Sequence, residues 1–325
     1  LKCLQKHPDE RYQSAADLQQ DLQSWKQATL PGTTAIPAAA PATDASATLP
    51  PGVRFRGLRS YTETDADFFL QLLPGIREKN GLPPAVDFWK QRLDNLSDRE
   101  RAVPVGLLIG PSGCGKSSLM KAGVIPLLDD GRIHSCVLEP AAEQLEARLR
   151  QQLVKFHPDP ANIDSLAELF QTIRDRQHQR GTKLLLVIDQ FEQWLHVQDE
   201  SGWTNLADAL RHCDGVHLQT VVIVRGDFFS AISSFFGLLG QSIDEKTNCQ
   251  PLELWSQAHA RQVLQLFAVQ LKRLPERIEP GSVEDLFVRR VVQDLSHGGK
   301  VTSVHLAVFV QMFEGRDWTL ESLAE

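Results

Sequence analysis

At 325 residues, 42% hydrophobic and 23% charged, the chain is long enough for two domains and a sizeable core, and its ordinary globular mixture favours neither a disordered nor a membrane class. Its net charge of −7 opposes broad attraction to a phosphate backbone, and no charge-free apolar run reaches the roughly 18 residues of a membrane-spanning helix. Nucleic acid is therefore disfavoured as a partner, no membrane is expected in this segment, and the cytoplasm is the default location.

Leu1 opens the chain in mid-pattern, so a segment of a longer protein is expected. Ala15, Leu18, Leu22 and Trp25 recur at helical spacing behind Ser14, a capping residue type. Residues 1–27 thus contain an amphipathic helix, in a segment too short to be a domain. Residues 28–52 are rich in Pro, Ala and Thr with a single charge, Asp44. Such a run buries too little apolar surface to offset its ordering entropy, and it is a linker. From residue 53 onward apolar β-type runs alternate with amphipathic stretches. The predicted strands are 103–109, 134–138, 184–188, 220–224 and 251–254. Between them, helices are predicted over Lys116–Leu128, Ala141–Lys155, Leu166–Arg180 and Trp203–Leu210. This is the α/β class, with a parallel five-stranded sheet covered by helices over residues 53–255. Residues 258–271, 283–295 and 304–313 carry helix-period apolar residues, so 256–325 is predicted as a helical extension.

Gly110-Pro111-Ser112-Gly113-Cys114-Gly115-Lys116-Ser117 matches Gly-x4-Gly-Lys-[Ser/Thr], the P-loop pattern, directly after an apolar strand and directly before a helix. Glycines let backbone N–H groups curl around phosphate oxygens, and the helix N-terminus adds positive partial charge. Lys116 is placed to reach the β- and γ-phosphates, Ser117 to ligate Mg²⁺, and Ser118 to continue the cradle. The implied ligands are ATP and Mg²⁺; the alternative is a glycine-rich turn with no ligand. Cys114 lies near a helix N-terminus, where a thiolate is stabilised, yet a small loop-filling residue is the simpler reading.

Magnesium needs a carboxylate in addition to the serine. Asp189 follows the most apolar strand, KLLLVI, 73 residues after Lys116, the setting of a Walker B acid. Three residues on, Glu192 is positioned to polarise a water for attack on the γ-phosphate. The plain alternative for either acid is a helix cap. Arg225 ends the strand TVVIV, and at the C-terminal edge of a parallel sheet an arginine faces the ligand side. Its alternative is a surface pair with Asp227. The candidate catalytic residues are Lys116, Glu192 and Arg225, and the candidate metal ligands are Ser117 and Asp189.

No Asn-Lys-x-Asp tetrad for guanine occurs, so adenine is preferred. Leu295-Ser-His-Gly-Gly-Lys300 has the look of an ABC transporter signature but begins 106 residues after Asp189, where that signature should precede the Walker B strand. It is set aside. A separate strand between the P-loop strand and the Asp189 strand fits the additional-strand ATPases better than a nucleotide-monophosphate kinase. His7, His134, His178, His217, His297 and His305 have no mutual metal spacing, and residues 174–180 read as the solvated end of a helix. The five cysteines, at 3, 114, 136, 213 and 249, include no Cys-x-x-Cys and are expected to be reduced, mostly buried thiols.

RGLRSYTETDADFF (Arg56 to Phe69), GLLIGPSGCGKSSLMKAGVIPLL, LLLVIDQFEQW and VVIVRGDFF together resemble the novel STAND NTPases of bacterial multidomain signalling proteins. Val301 to Leu306 and Gly315 to Thr319 are similar to the start of that family's winged-helix region. The resemblance implies an AAA-related ATPase core whose nucleotide state gates signalling or self-assembly. Self-association in the ATP-bound form and other signalling proteins are the implied partners. It assigns the P-loop roles to Lys116 and Ser117, magnesium to Asp189, water activation to Glu192 and a sensor role to Arg225. Three positions depart from the family pattern. Gln193 stands where a second glutamate is frequent, Leu70 to Arg77 replace a Phe-Gly-Arg-Glu-like stretch, and Ser303 stands where Pro is common. Residues 1–22 are similar to the last helices of bacterial serine/threonine protein kinases, with Arg11 matching a lobe arginine. The glycine-rich loop, His-Arg-Asp and Asp-Phe-Gly are absent, so this chain is no working kinase. The expected function is a slowly hydrolysing signalling ATPase module. The alternatives are a nucleotide-gated assembly scaffold without turnover, prompted by Gln193, and a winged-helix DNA-binding ATPase, opposed by the acidic balance.

Overall fold

The computed structural model describes residues 59–139, 144–156, 165–198, 202–313 and 315–323, all within the compact unit Leu49–Glu325. The readings of residues 1–27 as a kinase-like tail and of 28–52 as a linker fall outside them. Two helices come first, α1 (Ala66–Leu72) and α2 (Pro84–Leu93). Strand β1 (Val105–Gly110) leads through the glycine-rich loop into α3 (Lys116–Ser118), which continues as a π-helical stretch, Leu119–Val124, and a 3-10 turn, Ile125–Leu127. There follow β2 (Ile133–Leu138), α4 (Leu145–Leu153), α5 (Leu166–Arg180), β3 (Lys183–Ile188), α6 (Glu192–Val197) and α7 (Thr204–Leu210). The sheet is completed by β4 (Leu218–Arg225) and, after α8 (Phe229–Leu238), by β5 (Cys249–Pro251). The C-terminal region comprises β6 (Trp255–Ser256), α9 (Gln257–Gln270), α10 (Val283–Leu295), β7 (Ser296–His297), β8 (Lys300–Val301) and α11 (Ser303–Met312).

The five-stranded sheet has the order β2-β3-β4-β1-β5, and every neighbouring pair is parallel. Strand β4 therefore lies between the P-loop strand and the Asp189 strand, with Leu107 opposite Val222 and Val222 opposite Ile188. Both β1 and β3 are buried at every position, as the near-continuous apolar runs of a sheet covered on both faces require. Alternate residues of β3 sort to opposite sides, because side chains in a strand have period 2. Leu184, Leu186 and Ile188 pack with Leu145, Leu149, Leu169, Phe170 and Ile173 of α4 and α5. Leu185 and Val187 pack with Val86, Trp89 and Leu93 of α2 and with Leu119 and Met120 after the P-loop. A separate core joins Phe68 and Leu72 of α1 to α9, α10 and α11. Ser165, Ser256 and Ser282 cap α5, α9 and α10 through their side chains.

Three expectations need correction. The last strand covers 249–251 rather than 251–254: Leu107 N donates to Asn248 O and Leu252 N to Ile109 O, both at 2.7 Å, and the chain then leaves the sheet. The helix after the P-loop is α-helical for three residues only before it widens. The C-terminal extension is not wholly helical, since β6, β8 and β7 form a small antiparallel sheet. The expected winged-helix start, 301–319, corresponds to the end of β8, α11 and the turns after it. Cys114, Cys136, Cys213 and Cys249 are buried free thiols, as expected, and Cys3 lies outside the described residues. No helix among the described residues is long and apolar enough to cross a membrane.

Candidate nucleotide-binding site

Where β1 ends, the chain turns through residues 111–115 into α3. Gly113 and Gly115 hold φ values of 73° and 97°, in the left-handed region that costs a residue with a side chain about 1–2 kcal/mol. A Cβ on Gly110 would stand 2.2 Å from the Leu252 carbonyl oxygen, and one on Gly113 would stand 2.5 Å from the Thr302 methyl. The loop is thus closely flanked on both sides, and Ser303 Oγ adds a hydrogen bond to Gly113 O at 2.7 Å. Lys116 is buried, its Nζ donating to the carbonyl oxygens of Gly110 and Pro111 at 2.8 Å each. Burial pushes the Cys114 thiol pKa up despite the nearby Lys116 charge, so this cysteine fills space rather than presenting a thiolate. Ser118 is buried too, and its Oγ accepts from Tyr61 N at 3.0 Å, tying the segment ahead of α1 to the P-loop helix.

Asp189 follows β3 directly and is 1% exposed. Its Oδ1 accepts from Ser117 Oγ at 2.9 Å and from Gln190 N at 3.0 Å. Its Oδ2 makes no hydrogen bond; Lys121 Nζ stands 3.4 Å away. A buried carboxylate oxygen whose one neighbour is an ammonium at 3.4 Å keeps lone-pair capacity for a further cation. Here it stands beside a serine hydroxyl, and together they offer the hard oxygen ligands that Mg²⁺ takes. The residues present fit a magnesium ion. The predicted metal pair, 72 positions apart in sequence, is brought together at the C-terminal edge of the sheet.

Gln190 takes φ 57°, a left-handed value for a residue with a side chain, and this tight turn starts α6. Phe191 N bonds to Ile223 O of β4 at 3.0 Å, which holds Glu192 over the edge of the sheet. Glu192 is buried, and its Oε2 accepts from Arg225 N at 3.3 Å. Burial raises the Glu192 pKa, against backbone hydrogen bonds and the charges of Lys116 and Arg225 that pull it down. Such a carboxylate is a better proton acceptor than a solvated one. The Arg225 guanidinium forks onto Asp227, Nε to Oδ1 at 3.1 Å and Nη2 to Oδ2 at 2.6 Å. This is the surface pair weighed as its alternative role.

These groups line one cavity of about 660 Å³, within the range of small-molecule sites. Residues 112–118, Asp189, Glu192 and Arg225 supply polar lining. Tyr61, Phe69, Leu72, Trp255, Phe267 and Val304 supply apolar lining. All the candidate residues except Gly110 and Pro111 line it; Pro111 O and Gly110 O instead hold Lys116. Sequence reasoning missed Tyr61, Trp255 and Phe267, which come from three separate segments and carry no local pattern. Two of the histidines meet unexpectedly at the opposite end of the sheet, His178 Nδ1 3.1 Å from His217 Nε2, with His217 Nδ1 3.0 Å from Asp214 Oδ2.

The family profile described as Novel STAND NTPase 1 matches residues 55–295. The chain belongs to this family. The five-stranded parallel sheet is accordingly that of a nucleotide-binding P-loop module of the STAND NTPases. Among solved structures, this STAND NTPase is similar to the Walker-type ATPase of Pyrococcus abyssi, with 16% identity, 80% of this chain and 72% of that chain covered, and a TM-score of 0.51. It is also similar to the ORC2 protein of Aeropyrum pernix in its ADP form, with 18% identity, 86% and 69% covered, and a TM-score of 0.47. The Pyrococcus likeness is one of fold. No curated protein matches this STAND NTPase.

Proposed function

We propose that this STAND NTPase binds ATP with Mg²⁺ in the cavity, hydrolyses it slowly, and uses the nucleotide state to set its conformation and self-association. The observation that carries the reading is the meeting of Ser117 with Asp189, whose second oxygen has no hydrogen bond, beside the glycine-lined loop. The loop N–H groups and Lys116 hold the phosphates, Lys116 exchanging the Gly110 and Pro111 carbonyls for phosphate oxygens. Ser117 and Asp189 hold the magnesium, which supplies positive charge against the charge developing on the phosphoryl oxygens. Glu192 takes a proton from the attacking water. Arg225 leaves Asp227 to face the γ-phosphate, and the apolar side chains of the lining take adenine.

Gln193 favours slow turnover, because its side chain donates to Gln190 and offers no second carboxylate. The same observation supports the scaffold reading, in which nucleotide gates assembly without turnover. The wider assignment is a signalling module linked to a protein kinase, with residues 1–27 the end of the kinase domain, 28–52 a linker, 53–255 the NTPase core and 256–325 its extension. Its setting is the cytoplasm and its further partners are signalling proteins.

Calorimetric titration of ATP and ADP with Mg²⁺, native against Lys116→Ala, tests the reading. Loss of roughly 100-fold in affinity is expected from removing a charged phosphate ligand; equal affinity refutes it. Phosphate release abolished by Glu192→Gln rules out the scaffold.

A further inference from the structure

Lys121 has no role in this scheme, yet it is an ammonium placed directly at the carboxylate that would hold the metal. It lies in the π-helical stretch Leu119–Val124, a widening of the helix that is frequent at functional sites. Its side chain is 17% exposed and stands between two carboxylates, 3.4 Å from Asp189 Oδ2 and hydrogen-bonded to Glu139. The other Asp189 oxygen is taken by Ser117 and Gln190, so the ammonium faces the same lone pairs that a divalent cation needs. Glu139 is 60% exposed and gives the ammonium a second anchor on the solvent side.

We propose that Lys121 is the counter-ion of Asp189 in the metal-free site, and that it competes with the divalent cation for that carboxylate while Glu139 holds it aside when the cation is bound. Lys121 is then a positioning residue that sets the metal affinity of the site. The inference rests on the nucleotide-site reading above.

The test measures Mn²⁺ binding by electron paramagnetic resonance on the full chain with saturating ADP, and ADP affinity separately in chelator. Native protein, Lys121→Met and Glu139→Gln are compared. Removing the competing charge should tighten Mn²⁺ binding about tenfold in Lys121→Met, and removing its second anchor should weaken it severalfold in Glu139→Gln. Metal-free ADP affinity should stay within about twofold in both, since neither change touches the phosphate cradle. Unchanged or weaker Mn²⁺ binding in Lys121→Met overturns the proposal. So does a tenfold loss of metal-free ADP affinity, which would make Lys121 a phosphate ligand. Glu139 is at the rim, so its variant keeps the fold and its sign decides the question even if Lys121→Met is unstable; unchanged Mn²⁺ binding there also overturns the proposal. Failure of the native chain to bind ADP would instead defeat the nucleotide reading, which keeps the two failures apart.

Discussion

Replacing Gly113 with alanine tests how the P-loop is held by the C-terminal helices. Two penalties are visible. The φ of 73° places the new side chain in the left-handed region, at about 1–2 kcal/mol. Its Cβ would also stand 2.5 Å from the Thr302 methyl, where carbon contacts settle near 3.5–4.0 Å; relief requires a shift of about 1 Å, and overpacking of this kind costs about 1–3 kcal/mol. Such a shift stretches the Ser303 to Gly113 hydrogen bond at the start of α11. The expected total is about 2–5 kcal/mol of lost stability, read as a lower urea midpoint. Thr302→Ser removes that methyl group, and the next neighbour, Val304 Cγ2, lies at a comfortable 3.5 Å. The double variant should recover the overpacking part, about 1–3 kcal/mol, and keep the dihedral part. A double-mutant cycle by urea unfolding, run alongside ADP titration, measures this coupling. Coupling within about 0.5 kcal/mol of zero would refute the contact between loop and extension.

Three further outcomes are expected. Asp189→Asn keeps an acceptor for Ser117 but removes the charge, so the gain in nucleotide affinity on adding Mg²⁺ should fall by roughly tenfold or more while metal-free binding persists; titrations with and without chelator check this. Leu186→Ala, at a position with no exposure in the interior strand β3, should cost about 2–5 kcal/mol in urea unfolding. Lys183 is fully buried, donates to Leu93 O and Gln219 Oε1, and is lowered by burial to about 7 from 10.5. Between those values the unfolded chain holds a proton the folded chain has released, so stability rises with pH across that window. Relative to Lys183→Met, native stability should gain roughly 3–5 kcal/mol in all, at up to about 1.36 kcal/mol per pH unit; a flat difference from pH 7.5 to 9.5 would refute the shift.

Strands β1, β3 and β4 were legible because a strand covered on both faces must be an unbroken apolar run, and GLLI, LLLVI and TVVIV are such runs. Strand β5 was misplaced because its residues, Cys249, Gln250 and Pro251, have no such signature; of the apolar residues that attracted attention, Leu252 only closes the ladder through its amide and Leu254 lies beyond it. Helix α2 was overlooked although Pro84 at its first turn and Val86, Trp89 and Leu93 on one face are ordinary signals. Helix α8 was overlooked as well, although Ile232, Phe235 and Phe236 recur at helical spacing. Gly298 and Gly299, passed over inside a rejected transporter motif, take φ values of 57° and 77° between β7 and β8. A Gly-Gly pair is a hairpin signal in its own right. At the site, the loop and Asp189 were legible because their chemistry fixes both residue types and spacing. Lys121 was not, because its approach to Asp189 depends on a helix that changes its winding midway.

Arg225 addresses the site twice, through its backbone amide to Glu192 and through its guanidinium to Asp227. On the Arg225 side the first link is written in the main chain, so among substitutions of Arg225 only proline would erase it. The second is a matter of side chain alone. How the buried acid is steered and where the cation rests are thus separable by mutation, although both hang from one position, and either can be retuned while the other is left as it was.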